Sequence, residues 1–141
     1  MKKFCYISTT MINTLHITSF YASALAVWIV VLGFRVAMTR KREKIGVGDG
    51  KNLTLSRFKA AHENALDNIP IFLILLGLFE YNGGGTMALH TFGGGFALAR
   101  VLHAFGISRH AGHSFGRLAG IVLSWLCIVS LAVFVFMQAL N

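Results

Sequence analysis

The sequence predicts an all-α integral membrane protein, a four-transmembrane-helix bundle. Of its 141 residues 55% are hydrophobic and only 13% charged, about half the charged share of an ordinary soluble domain. The apolar residues gather into four stretches, near residues 19–38, 60–81, 87–105 and 115–139, each close to the ~20 residues that a helix needs to cross a bilayer. The charges fall between these stretches, and almost nothing is left over for a soluble domain. We therefore read residues 1–141 as a single membrane domain whose chemistry must use helix ends and short loops.

The first stretch follows Lys2-Lys3, and Ala22-Ser23-Ala24 looks superficially like a leader-peptide cleavage site. The Thr, Asn and His residues between 8 and 19 make a poor leader core, and apolarity peaks only after the supposed cut. Residues 19–38 are thus expected to be a retained span, with Met11 as good a start residue as Met1. The first span carries no acid, which argues against a small proton-coupled exporter. The loop after it is basic, with Arg40, Lys41, Arg42, Lys44, Lys51, Arg57 and Lys59 in it or at its margins. Its Gly46-Val47-Gly48-Asp49-Gly50 run lacks a preceding strand and a following Gly-Lys-Ser/Thr, so it reads as a turn and not as a phosphate loop.

The second stretch is the most informative. Its purely apolar part, 69–81, would cover only about 20 Å as a helix, against about 30 Å of hydrocarbon. The polar cluster before it, His62, Glu63, Asn64, Asp67 and Asn68, must therefore help to span, and polar groups at such depth mark functional sites by default. At about 100° per residue Arg57, Asn64 and Asn68 share a stripe, Asp67 stands about 80° from it, and His62 and Glu63 face elsewhere. A helix that is polar in two directions is expected to place one of them at a subunit interface. Lys59, His62 and Glu63 have the further option of snorkelling to water. Pro70, the only proline, leaves the Leu66 carbonyl without its helical donor, so a kink or a free acceptor is expected beside the cluster.

The third and fourth stretches carry small residues, Gly93, Gly95, Ala97 and Ala99 in one and Gly116, Gly120 and Ser124 in the other, which predicts close helix packing. Arg100 and His103 end the third, one turn apart, where Arg100 is expected either to converge on Asn64 and Asp67 or to pair with Glu63 or Asp67. The turn at 82–86 has no charge, whereas Arg109 and Arg117 bracket the third loop. Positive residues favour the cytoplasm, so loops one and three are expected there. The net charge of +8 is thus a topological signal and does not indicate nucleic-acid binding. His103, His110 and His113 lack the carboxylate or thiolate companions of a metal site, and Cys5 and Cys127 show no paired spacing, so no metal is expected.

The second-stretch pattern Ala-His-x-Asn-x-x-Asp-x-x-Pro over 61–70, the Gly48-Asp49-Gly50 loop, Ala99-Arg100-Val101-Leu102-His103 and Arg117-Leu118-Ala119 together resemble the membrane-associated proteins of eicosanoid and glutathione metabolism, the MAPEG family. The similarity runs from Met11 onward and is greatest to small bacterial inner-membrane members. It implies a left-handed bundle assembled as a homotrimer, with glutathione as cofactor between subunits near the cytoplasmic face. By this resemblance Asn64 and Asp67 hold the tripeptide, with Asp67 in place of the usual glutamate and facing the ammonium. His62 occupies the Gln/His position, and Arg57, Arg100 and His103 are further binding candidates. Arg117 is implied as the residue that stabilises the glutathione thiolate, which then attacks a lipophilic electrophile or reduces a hydroperoxide presented by membrane lipid. The chain departs from the family at Ala60, usually arginine, at Asn68 and Ile107, often tyrosine, and at His103, an aromatic hydroxyl position. These departures leave room for a second reading, a non-enzymatic scaffold that binds a lipid or amphipathic ligand in the inter-subunit cleft.

Overall fold

The structure is a computed structural model that describes residues 15–109 and 114–140. Among these residues it is all helical: α1 His16–Glu43, α2 Leu53–Tyr81, α3 Thr86–Arg109 and α4 Phe115–Ala139. The stretch with Lys2, Lys3, Cys5 and Met11, and His110 and His113 of the third loop, lie outside the described residues. Three helices, α1, α2 and α4, are long and apolar enough to cross a membrane. The expected third span forms a helix of 24 residues, about 36 Å long, but His90, Thr91, Arg100 and His103 interrupt it, so that no long stretch of it is as apolar as those in the other three.

Helices α1 and α2 outrun their apolar stretches. Backbone hydrogen bonding continues wherever the residues tolerate it, and Arg40, Lys41 and Arg42 in the last turn of α1 suit the negative end of its dipole. Lys44 closes that helix in the left-handed conformation. Asn52 starts α2, its side-chain oxygen accepting from the backbone N–H of Thr54 and Leu55 at 3.0 Å each. Ser114 caps α4 in the same way through Arg117 N. Helix α1 has no capping side chain of its own. Glu80, at the far end of α2, supplies one: its two carboxylate oxygens accept from Ile17 N at 2.8 Å and Thr18 N at 2.7 Å. Helix α2 continues through Pro70 from Leu53 to Tyr81.

Helices α2 and α3 form the centre, with α1 and α4 on either side, each packed on both central helices and neither touching the other. The buried face of α2 is Ala61, Ala65, Ile69, Phe72, Leu76 and Phe79, a three-to-four-residue repeat. Phe72 stacks on Phe96 of α3 with ring centroids 3.8 Å apart, and Phe79, Phe92 and Phe134 tie together α2, α3 and α4. The α3–α4 contact is the closest. A Cβ on Gly106 would stand 2.3 Å from the backbone nitrogen of Arg117, and one on Gly120 would stand 2.6 Å from that of His103. Only glycine permits such an approach, which realises the packing expected of Gly120 and adds Gly106 to it. The outer surface is apolar, with Val27, Val30, Phe34, Trp125, Val129 and Phe136 exposed, as a bundle solvated by lipid requires.

Candidate functional site

The polar groups collect at the end where α1 finishes, α2 and α4 begin and α3 finishes. At the centre is Arg100, only 2% exposed. Its Nη1 donates to Asn64 Oδ1 at 2.6 Å and to the Asn64 carbonyl at 3.4 Å. Its Nε and Nη2 both donate to Ser124 Oγ, at 3.1 and 2.5 Å, and that hydroxyl donates in turn to the Gly120 carbonyl at 2.7 Å. Asn68 Nδ2 adds a bond to the Asn64 carbonyl at 2.8 Å. One guanidinium thus laces α2, α3 and α4 together. All its hydrogen-bond partners among the described residues are neutral, so the expected pairing of Arg100 with Glu63 or Asp67 is replaced by pairing with Asn64 and Ser124. Helical geometry explains the change. Asp67 lies two residues from Ala65 and Ile69, on the side of α2 opposite its buried face, and is exposed.

His103, one turn beyond Arg100 and 3% exposed, faces the start of α4, its Nδ1 standing 3.1 Å from the Arg117 carbonyl. A carbonyl only accepts, so Nδ1 carries the proton, and in the neutral ring Nε2 then keeps a lone pair. That Nε2 is buried and has no partner among the described residues. Arg117 itself is exposed and lines a cleft of about 260 Å³ with Ser114, Leu118 and Ile121. His62 is half-buried and turned to α1, where a Cβ on Gly33 would stand 3.1 Å from its Nε2. Arg57 is also half-buried, and its Nε is sequestered with no partner among the described residues. Lys59 and Glu63 pair at 3.4 Å on the surface.

The structure therefore brings Asn64, Arg100 and His103 together inside the bundle, sets Arg57 and His62 on its α1 side, and leaves Asp67 and Arg117 on its lateral surface. Two participants were not marked out by the sequence as site residues. Ser124 passes for a packing residue, because nothing in a small-residue stripe distinguishes the member that receives a guanidinium. Arg35 places its guanidinium 4.1 Å from the Phe58 ring centroid, adding a cation beside the first turns of α2, where Ala60 offers none. Its signal was available, a single arginine inside an apolar run ahead of the basic loop. No group of three or more His, Cys, Asp or Glu residues suited to a metal is found among the described residues.

The fold and site define an integral membrane protein, a helical bundle with an apolar exterior and a buried arginine-centred polar network at one end. The chain belongs to the MAPEG family, whose sequence pattern it matches over residues 18–137. Among curated proteins it is similar to the inner membrane protein YecN of Escherichia coli K12, 29% identical over 90 residues that cover 64% of this chain and 69% of the relative. The same protein from Escherichia coli O6:H1 matches equally.

Proposed function

We propose that this protein is a homotrimeric, glutathione-dependent transferase or peroxidase of the bacterial inner membrane, acting on lipophilic electrophiles or hydroperoxides, with α3 as a fourth span and loops one and three in the cytoplasm. The observation that carries the reading is the state of Asp67. It lies about 21 Å along α2 from Tyr81, within a hydrocarbon layer of about 30 Å, yet it is exposed and has no partner among the described residues. A carboxylate facing lipid at that depth costs several kcal/mol. A neighbouring subunit that covers it, and an ammonium that pairs with it, remove that cost.

Glutathione has the matching charges, two carboxylates and one ammonium. Arg35 and Arg57 supply cations near the start of α2 and Asp67 faces the ammonium, while His103, sealed inside the bundle, backs the set from behind Arg100. Asn64, His62 and Arg100 complete the binding set, Arg100 by holding Asn64 in place. Arg117 stabilises the thiolate, since a free thiol near pKa 8.5 is mostly protonated at neutral pH and a guanidinium favours its anion. The thiolate either forms a C–S bond to the electrophile, displacing a leaving group as its anion or adding to an activated double bond whose carbanion is then protonated, or, with a second glutathione, reduces a hydroperoxide to alcohol and water and leaves the disulfide. The YecN relatives, inner membrane proteins of Escherichia coli, support the inner-membrane assignment.

One observation favours a second reading. Asn64 and Arg100 satisfy each other and Ser124 within one chain, as a purely structural strut would. In that case the cleft holds a lipid or amphipathic ligand and no catalysis occurs. Titration calorimetry with glutathione up to millimolar concentration, together with the ultraviolet absorbance of the bound thiolate, separates the two. Binding heat with thiolate absorbance, the latter lost more than affinity in Arg117→Ala, supports the enzyme; neither signal, with a co-purified lipid seen by native mass spectrometry, supports the scaffold.

A further inference from the structure

The cytoplasm-assigned end of α1 carries a feature that the glutathione reading does not use. Helix α1 has 28 residues and is about 42 Å long, so some 12 Å of it, the part from Val36 to Glu43, projects past a hydrocarbon layer of about 30 Å. There Met38, Thr39, Lys41 and Arg42 line a cleft of about 450 Å³. Lys41 has no ion-pair partner among the described residues, and Arg42 gives only its Nε to Glu43, at 2.7 Å, leaving its two terminal nitrogens available. Thr39 is occupied by the Arg35 carbonyl, at 2.8 Å, and sits buried.

Below the two cations the same face of α1 is apolar. Val27, Val31, Phe34 and Met38 are all exposed, and with Lys41 they follow alternating steps of four and three residues, the spacing that stacks side chains along one helix face. The result is an apolar track about one acyl chain long, capped at headgroup height by paired positive charge. We propose that this face of α1 is a binding site for one anionic phospholipid, its phosphodiester held by Lys41 and Arg42 and its acyl chain laid along Phe34, Val31 and Val27. A free phosphate would satisfy the cations but leave the track uncovered. Basic clusters just outside a spanning helix attract anionic headgroups in general. The track and the cleft make this one a site and not a diffuse field.

The test uses the full-length protein in a neutral maltoside detergent, with bound lipid counted by native mass spectrometry. The probes are short-chain phosphatidylglycerol, short-chain phosphatidylcholine and glycerol 3-phosphate. Phosphatidylglycerol should bind in preference to phosphatidylcholine, and glycerol 3-phosphate should not displace it. The Lys41→Gln/Arg42→Gln pair should weaken phosphatidylglycerol binding about thirtyfold, the loss expected for two headgroup cations, while Lys51→Gln/Arg109→Gln, which removes the same charge elsewhere, should change it little. Equal weakening by the two pairs, indifference to the headgroup, or displacement by glycerol 3-phosphate at the lipid's own concentration would each overturn the proposal. All four substituted residues are at the surface end of their helices or in a loop, and an unchanged elution volume verifies that the variants keep their assembly.

Discussion

Removing the Ser124 hydroxyl tests whether the buried arginine is held by its polar neighbours or merely tolerated. In Ser124→Ala two N–H groups of a fully buried guanidinium lose their acceptor, since Nε and Nη2 both end on that one oxygen. Each buried unsatisfied donor costs about 1–3 kcal/mol, and charged groups fall at the upper end. Interhelical hydrogen bonds in membranes average only about 0.6 kcal/mol, because the separated helices also find partners, so the lower bound is the sounder choice. We expect a loss of about 2–3 kcal/mol. In an Arg100→Met background the same change should cost under about 1 kcal/mol, because Ser124 then gives up only its bond to the Gly120 carbonyl, which lies within its own helix. The coupling between the two sites is therefore about 2 kcal/mol. Unfolding of the four proteins in mixed micelles with a denaturing detergent, followed by the fluorescence of Trp28 and Trp125 at fixed protein concentration, measures it. A coupling below about 0.5 kcal/mol would refute the network, because independent sites add to within that margin.

Other consequences are equally specific. Gly106→Ala should destabilise by at least 1–3 kcal/mol, since its Cβ would meet the backbone of α4 at 2.3 Å, whereas at Gly116 the nearest atom, the Leu102 carbonyl, is 3.4 Å away; comparable losses in the two variants under thermal unfolding would count against the close α3–α4 crossing. Glu80→Ala should fray the start of α1 and cost about 1–2 kcal/mol, read as faster hydrogen exchange confined to the first turn at Ile17 and Thr18; unchanged exchange there would show that water caps the helix. Asp67→Asn should weaken glutathione binding about tenfold or more, the worth of one hydrogen bond to a charged group, and calorimetry that finds full affinity would remove Asp67 from the site.

Much of the architecture was legible in the sequence because membrane insertion depends on length and apolarity, which are local. Four apolar stretches gave four helices, and Gly116 and Gly120 stood in the small-residue stripe of the fourth, whereas Gly106, which makes the closest approach to α4, emerged only from the packing. Helix ends were less legible: Glu43 and Leu53 lie well outside the apolar windows, since backbone hydrogen bonds do not stop at the edge of hydrocarbon. The capping of α1 by Glu80 was not legible at all, as it joins residues 62 and 63 positions apart through a turn that only the fold closes.

The candidate site divides in the same way. On the chain alone α2 was expected to carry His62, Asn64 and Asp67 into the membrane, because its purely apolar part is too short to span, and the spacing of those residues pointed to the family. Which groups meet was decided by tertiary structure. Arg100 was free to choose Glu63, Asp67 or Asn64 by sequence, and it took Asn64 because the buried face of α2 runs through Ala61, Ala65 and Ile69 and turns Asp67 outward. The second partner, Ser124, comes from a helix 24 residues later whose approach depends on Gly120 resting against the backbone of α3. Pairings of that kind depend on the angle and rotation at which helices pack, and no periodicity along one helix encodes them.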